Sequence, residues 1–169
     1  DTYKYAITWT PDSKKIHWSD RLLRLQYINI DTKEVTLVEK SKIWEFNNYD
    51  WSPDNNWIVF DRQMPNRFSQ VALYNVNTKA VYDVTDEWFT SYSSIFSNDG
   101  KYLLFVSDRT FNPIYSNVEW NYAYENMSKI YLIPLAKSTP SPFAPANDEV
   151  SIEEKKPENP VEADKKADK

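Results

Sequence analysis

A short signature recurs three times in this 169-residue chain, as Trp9-Thr-Pro-Asp-Ser13, Trp51-Ser-Pro-Asp-Asn55 and Phe96-Ser-Asn-Asp-Gly100. The copies start 42 and then 45 residues apart, and each joins an aromatic strand end, a polar turn and a second apolar strand. Self-similarity at about 40 to 45 residues, with several strands per unit, is the imprint of consecutive β-propeller blades. A helical repeat would need apolar residues every three to four positions, and no convincing long amphipathic helix is found.

A second pair of strands follows at a similar offset in the first two units. Leu25-Gln-Tyr-Ile-Asn-Ile-Asp-Thr-Lys-Glu-Val35 and Val71-Ala-Leu-Tyr-Asn-Val-Asn-Thr-Lys-Ala-Val81 share one pattern, with Asp31-Thr-Lys and Asn77-Thr-Lys between apolar runs as a tight hairpin requires. Ile130 to Leu135 begins a third copy, and Pro134 places it at a strand edge with little need to donate hydrogen bonds. Each unit therefore reads as four strands, which in the second copy cover about 47–51, 57–62, 70–76 and 80–84. Alternation puts Tyr3, Tyr5, Ile7 and Trp9 on one face of the opening strand.

The turns have their own chemistry. Pro11 and Pro53 preset φ for a type I turn, and Asp12, Asp54 and Asp99 can accept hydrogen bonds from nearby backbone amides. The residue after each, Ser13, Asn55 or Gly100, is expected near positive φ. Gly100 is the only glycine, so asparagine does much of the turn work.

The predicted fold is all-β: a partial β-propeller of about three four-stranded antiparallel blades over residues 1–137, with blades at about 1–40, 41–86 and 87–137. Seven Trp, twelve Tyr and eight Phe suffice to build its core. Residues 138–150 form a proline-rich exit. Residues 151–169, with six acids, five lysines and no aromatic residue, cannot bury enough apolar surface to offset their ordering entropy and are expected to be a disordered Lys/Glu linker. Propellers close with four to eight blades. Three would form an open wedge of about twelve strands with exposed end faces, so the missing blades are expected elsewhere in a longer parent. Asp1 already lies within a strand pattern, which fits a chain taken from something longer.

Several functions are disfavoured. A formal net charge of −5 argues against nucleic-acid binding, which wants a basic stripe. No stretch approaches the apolar length of a membrane helix. Absence of cysteine removes disulfides and thiolate sites. The single histidine, His17, has no nucleophile motif near it; alternation sets it opposite Ile16 and Trp18, where a surface or packing role is expected. No metal-ligand spacing is found, and no cofactor is expected. Asp86 and Glu87 resemble a carboxylate pair but fall in an inter-blade loop, where solvated charge is the expected state.

The third unit carries an insertion at 110–127 where the others have a short hairpin loop. Loops of this length are functional or disordered, and its aromatic content opposes disorder. Phe111, Tyr115, Trp120, Tyr122 and Tyr124, with Asn112 and Asn121, could line a surface for peptide or sugar rings. The alternative is packing over the blade edge. Arg109 is expected to tie the loop to Asp108 or Asn112, and joins these seven as the candidate ligand surface.

The Trp-Ser-Pro-Asp turns, Val59-Phe-Asp-Arg62, Leu73-Tyr-Asn-Val-Asn-Thr-Lys79, Phe105-Val-Ser-Asp-Arg-Thr-Phe-Asn-Pro-Ile-Tyr-Ser116 and Ser141-Pro-Phe-Ala-Pro145 resemble the tricorn protease family, over about 5–150. The matching region is its second, seven-bladed propeller. The last two stretches are the more specific, since TolB-like and prolyl-oligopeptidase propellers share the turns. The resemblance implies a large serine peptidase whose nucleophile, histidine and oxyanion groups lie in C-terminal domains, so no catalytic residue carries over to this chain. It implies a propeller that governs peptide access to, or scaffolds, those domains. Expected partners are peptides and the parent's remaining blades and catalytic domains, in a homo-oligomeric parent. The expected compartment is the cytoplasm, with the periplasm as the alternative. A TolB-like protein-binding propeller and a carbohydrate-binding propeller using the Trp120 loop are the competing functions.

Overall fold

The computed structural model describes residues 2–110, 113–115 and 123–145, and every regular element among them is a strand. Strands β1 (Lys4–Trp9), β2 (Lys15–Asp20), β3 (Arg24–Asn29) and β4 (Val35–Lys40) form one antiparallel sheet in sequence order. Strands β5 (Tyr49–Trp51), β6 (Trp57–Gln63), β7 (Ser69–Asn75) and β8 (Val81–Asp83) form a second sheet of the same order. The third unit contains β9 (Ser91–Phe96), β10 (Tyr102–Asp108), β11 (Pro113–Tyr115), β12 (Ala123–Tyr124) and β13 (Ser128–Pro134). Here β9, β10 and β13 make a three-stranded sheet, while β11 and β12 pair in a separate hairpin.

Two blades thus match the four-strand expectation, and the main sheet of the third unit has three strands among the described residues, with β11 and β12 set apart. Pro134 ends β13 opposite Tyr102. The chain then enters turns closed by Thr139 N–H to the Ala136 carbonyl and Ala144 N–H to the Ser141 carbonyl, and the Tyr102 hydroxyl donates to the Pro140 carbonyl at 2.8 Å. Proline cannot extend a ladder that needs its N–H, so the exit turns where a fourth strand would start. The charged linker at 151–169 lies outside the described residues.

The signature turn has one geometry in all three copies. Ser13, Asn55 and Gly100 have φ of 57°, 60° and 67°, and their N–H groups reach back to the carbonyls of Thr10, Ser52 and Ser97, each at 2.9 Å. The hydroxyls of Thr10, Ser52 and Ser97 donate to Asp12, Asp54 and Asp99, whose carboxylates accept in turn from the N–H groups of Lys14, Asn56 and Lys101. Burial alone would raise the Asp54 carboxyl, but hydrogen bonds from Ser52 and Asn56 outweigh it and hold the group below its ordinary value. The outer hairpins repeat as well: the Asn29 and Asn75 amide oxygens accept two backbone N–H groups each, ahead of Lys33 and Lys79 at φ 60° and 57°.

Packing follows from alternation. Along β6, Ile58 and Phe60 point to the first blade and join Leu25, Tyr27, Val38, Phe46, Trp51 and Tyr74 in one core. Val59 points to the third blade and joins Val71, Phe96, Leu103 and Phe105 in another. The middle blade is therefore apolar on both faces, as a sheet covered on both sides must be. The end blades are covered on one side only: Trp9, Val35 and Leu37 on the first, and Ile95 and Ile130 on the third, stay exposed.

One expectation fails in β1. Tyr5 lies opposite Ser19 but Thr8 lies opposite His17, so one extra residue is accommodated, with Ala6 at φ 46°. Such a bulge re-phases the strand, so Tyr5 and Trp9 end on opposite faces instead of sharing one. The same irregularity occurs in β9, between Tyr92 and Ile95, with Ser93 at φ 55°. Neither bulge is legible in an alternating apolar pattern.

Candidate functional site

The middle blade grips both bulges through polar side chains. Towards the first blade, the Tyr49 hydroxyl donates toward the carbonyls of Tyr5 and Ala6 at 3.0 and 2.9 Å and accepts the Ser19 N–H at 3.0 Å. Beside it His17 is buried, its ring edge-on to Tyr49 at 4.9 Å. The Trp51 indole N–H donates to His17 Nδ1, which leaves the proton on Nε2 to face the Thr8 hydroxyl. Burial pushes the imidazole down to about 4. Both ring nitrogens are engaged, so His17 packs the junction, in line with its expected role, and has no free lone pair for general-base work.

Towards the third blade the grip is a carboxylate. Asp61, at the end of the apolar run of β6, accepts the Ser93 N–H and the Ser94 hydroxyl at 2.5 Å each, and the Ser94 N–H at 3.4 Å. The Asn48 amide donates to the Ser94 carbonyl at 2.9 Å. Burial pushes the Asp61 carboxyl up to about 6, its hydrogen bonds only partly offsetting that cost.

Asp61 forms part of the wall of a cleft of about 400 Å³ between the second and third blades. Trp44 and Glu45 reach it from the connection between β4 and β5, Gln63 from β6 and Tyr92 from β9. That connection has a defined shape. The Ser41 hydroxyl accepts the N–H groups of Ile43 and Trp44, and Phe46 is buried edge-on against Phe60, at a centroid separation of 5.6 Å. Trp44 stays exposed and Glu45 half-buried as a result. Sequence reasoning missed this cleft; its signal was a carboxylate ending the apolar run Trp57-Ile-Val-Phe60.

The candidate ligand surface fares differently. Phe111, Asn112, Trp120, Asn121 and Tyr122 lie outside the described residues. Tyr115 and Tyr124 belong to the β11–β12 hairpin, where Pro113 pairs with Tyr124 and Tyr115 with Ala123. This hairpin lies within the connection between β10 and β13, at the blade end that carries the 21–23 and 64–68 loops of the other sheets. Arg109 does not take the expected Asp108 contact among its described hydrogen bonds. Its Nε donates to Ser107 Oγ at 3.1 Å, and its guanidinium lies over Tyr131 at 4.8 Å and over Phe89 at 5.6 Å, so it packs against rings.

Asp86 and Glu87 are exposed between β8 and β9, as a solvated loop pair should be. Among the described residues no group of three or more His, Asp or Glu side chains is arranged to hold a metal, and no helix is long and apolar enough to cross a membrane.

Comparison with known proteins gives a consistent picture. The family model described as "Tricorn protease second beta propeller domain" matches residues 1–168. Tricorn protease homolog 1 of Streptomyces coelicolor is 32% identical over 135 residues, covering 80% of this chain and 13% of that protein. The tricorn protease homolog of Saccharolobus solfataricus is 28% identical over 146 residues, covering 86% of this chain and 14% of its own length. The chain thus spans less than a fifth of these relatives. Among solved structures, the tricorn protease superposes with a TM-score of 0.74 at 20% identity, covering 82% of this chain and 14% of that one. TolB from Acinetobacter baumannii gives 0.57 at 19% identity, covering 82% and 31%. At these identities the two structures speak to the fold alone.

Proposed function

Because the chain belongs to the tricorn protease family, as a portion of the second β-propeller domain of a tricorn-like protease, we propose that it is a noncatalytic passage module, which admits peptides to a catalytic domain outside this chain. The observation that carries the reading is the family match along 1–168, set beside the small share of the relatives that the chain spans. The engagement of both His17 nitrogens within the fold supports a noncatalytic role. The polar contacts at the blade junctions hold the first strands of the sheets, β1, β5 and β9, in place against one another, which suits the wall of a passage. The parent assembles from several copies, and the remaining blades cover the exposed faces of the first and third sheets.

The test compares hydrolysis of short and long fluorogenic peptides by the intact protein and by its Asn47→Trp variant. Asn47 is exposed at the entrance to β5, so a bulky ring there narrows the way without touching the core. Long peptides are expected to lose several-fold in kcat/KM while short ones are unchanged. Equal effects on both lengths would refute passage and leave scaffolding or protein binding as the role.

A further inference from the structure

We propose that the cleft between the second and third blades receives the cationic side chain, lysine or arginine, of an extended peptide, an inference that rests on the passage role proposed above. Two carboxylates line the cleft, half-buried Glu45 and buried Asp61, and none of its lining residues is Lys, Arg or His. Among the described ion pairs none involves Glu45 or Asp61. The neighbouring Arg62 is turned to the other junction, where it binds Glu39, Gln70 and Asp83. Asp61 is only 9% exposed, and its hydrogen bonds come from neutral Ser93 and Ser94. A carboxylate so deeply placed with no positive partner is costly, and a cation entering from the cleft offsets that cost.

The walls select the kind of cation. Trp44 is 59% exposed and Tyr92 half-buried at the cleft, offering ring faces that suit a guanidinium or ammonium. Gln63 and Asn47 supply amide groups for the remaining hydrogen bonds. A hydrated metal ion would want a third carboxylate or imidazole, and aromatic walls would do little for it. A neutral sugar would leave the two carboxylates uncompensated. Besides Glu45 and Asp61, Tyr92 is the remaining titratable lining group. The Asp61 carboxyl ionises at about 6, so cation affinity should strengthen as pH rises through that value.

The experiment is fluorescence polarisation on the intact protein with two fluorescein-labelled peptides, identical except for a central arginine in one and citrulline in the other. At pH 7.5 the arginine peptide is expected to bind about tenfold tighter. Glu45→Gln and Trp44→Ala, both outside the buried cores, should each remove most of that preference; at pH 5 the preference should shrink. Equal binding of the two peptides would overturn the cation pocket while leaving passage standing. So would a preference that survives both substitutions, or no binding by either peptide. Calcium chloride raising the Tm while arginine is not preferred would make the cleft a metal site and likewise overturn the proposal. Passage itself is judged by the peptide-length dependence above, read with peptides free of lysine and arginine because Asn47 also lines the cleft, so the two can fail separately.

Discussion

Acidification should affect the two blade junctions in opposite directions. His17 lies at about 4 in the fold against 6.5 when unfolded, so between those values the unfolded chain binds the extra proton. Its contribution is therefore full above pH 6.5 and is lost as pH falls towards 4. At one pKa unit per about 1.4 kcal/mol, the loss from pH 7.5 to pH 5 is about 2 kcal/mol. Asp61 runs the other way: raised from 3.8 to about 6, it contributes stability below 3.8 that is lost as pH rises through 6. Over the same interval acidification recovers about 1.4 kcal/mol there. The intact protein should thus change little between pH 7.5 and 5, and single variants should expose the hidden terms. His17→Gln, whose amide can accept from Trp51 and donate to Thr8, should become more stable on acidification by about 1.4 kcal/mol. Asp61→Asn should become less stable by about 2 kcal/mol. Urea unfolding followed by tryptophan fluorescence at the two pH values measures all three. If His17→Gln tracks the unsubstituted protein, the neutral buried imidazole is the wrong description of that junction.

Two further substitutions test the fold's polar and backbone devices. Gly100→Ala should cost about 1 kcal/mol in the same urea assay, because a Cβ there meets only Pro53 at 3.7 Å and the cost comes from φ of +67°; Gly100→Asn should recover much of it, and equal losses would argue against a left-handed turn. Arg62→Lys should cost about 2 kcal/mol, since one ammonium cannot reproduce the simultaneous contacts to Glu39, Gln70 and Asp83; an unchanged urea midpoint would show that the cluster contributes nothing to joining the first two blades.

Much of this architecture could be read from the chain because it rests on local rules. The 40-to-45-residue period, the Trp-Ser-Pro-Asp turns and the Asn-Thr-Lys hairpins are short-range chemistry, so their strands and even the positive φ of Ser13, Asn55 and Gly100 agree with expectation. His17, placed opposite Ile16 and Trp18 by alternation, is on that face. The bulges at Ala6 and Ser93 were hidden because an extra residue leaves composition and period almost unchanged. So was the third sheet, three-stranded among the described residues, whose Ile130 to Leu135 run looks like any outer hairpin strand until the proline turns the chain away.

The sequence by itself determined the repeat, the strands of the first two blades and the family, since all of these follow from residues close together in the chain. Tertiary structure alone decided which polar groups meet across the junctions. Asp61 acts on Ser93 and Ser94, more than thirty positions away, and Tyr49 on Ala6, forty-three away. Those pairings, and the cleft that Glu45, Asp61 and Tyr92 share, depend on how one twisted sheet is set against the next, a relation that no local pattern encodes.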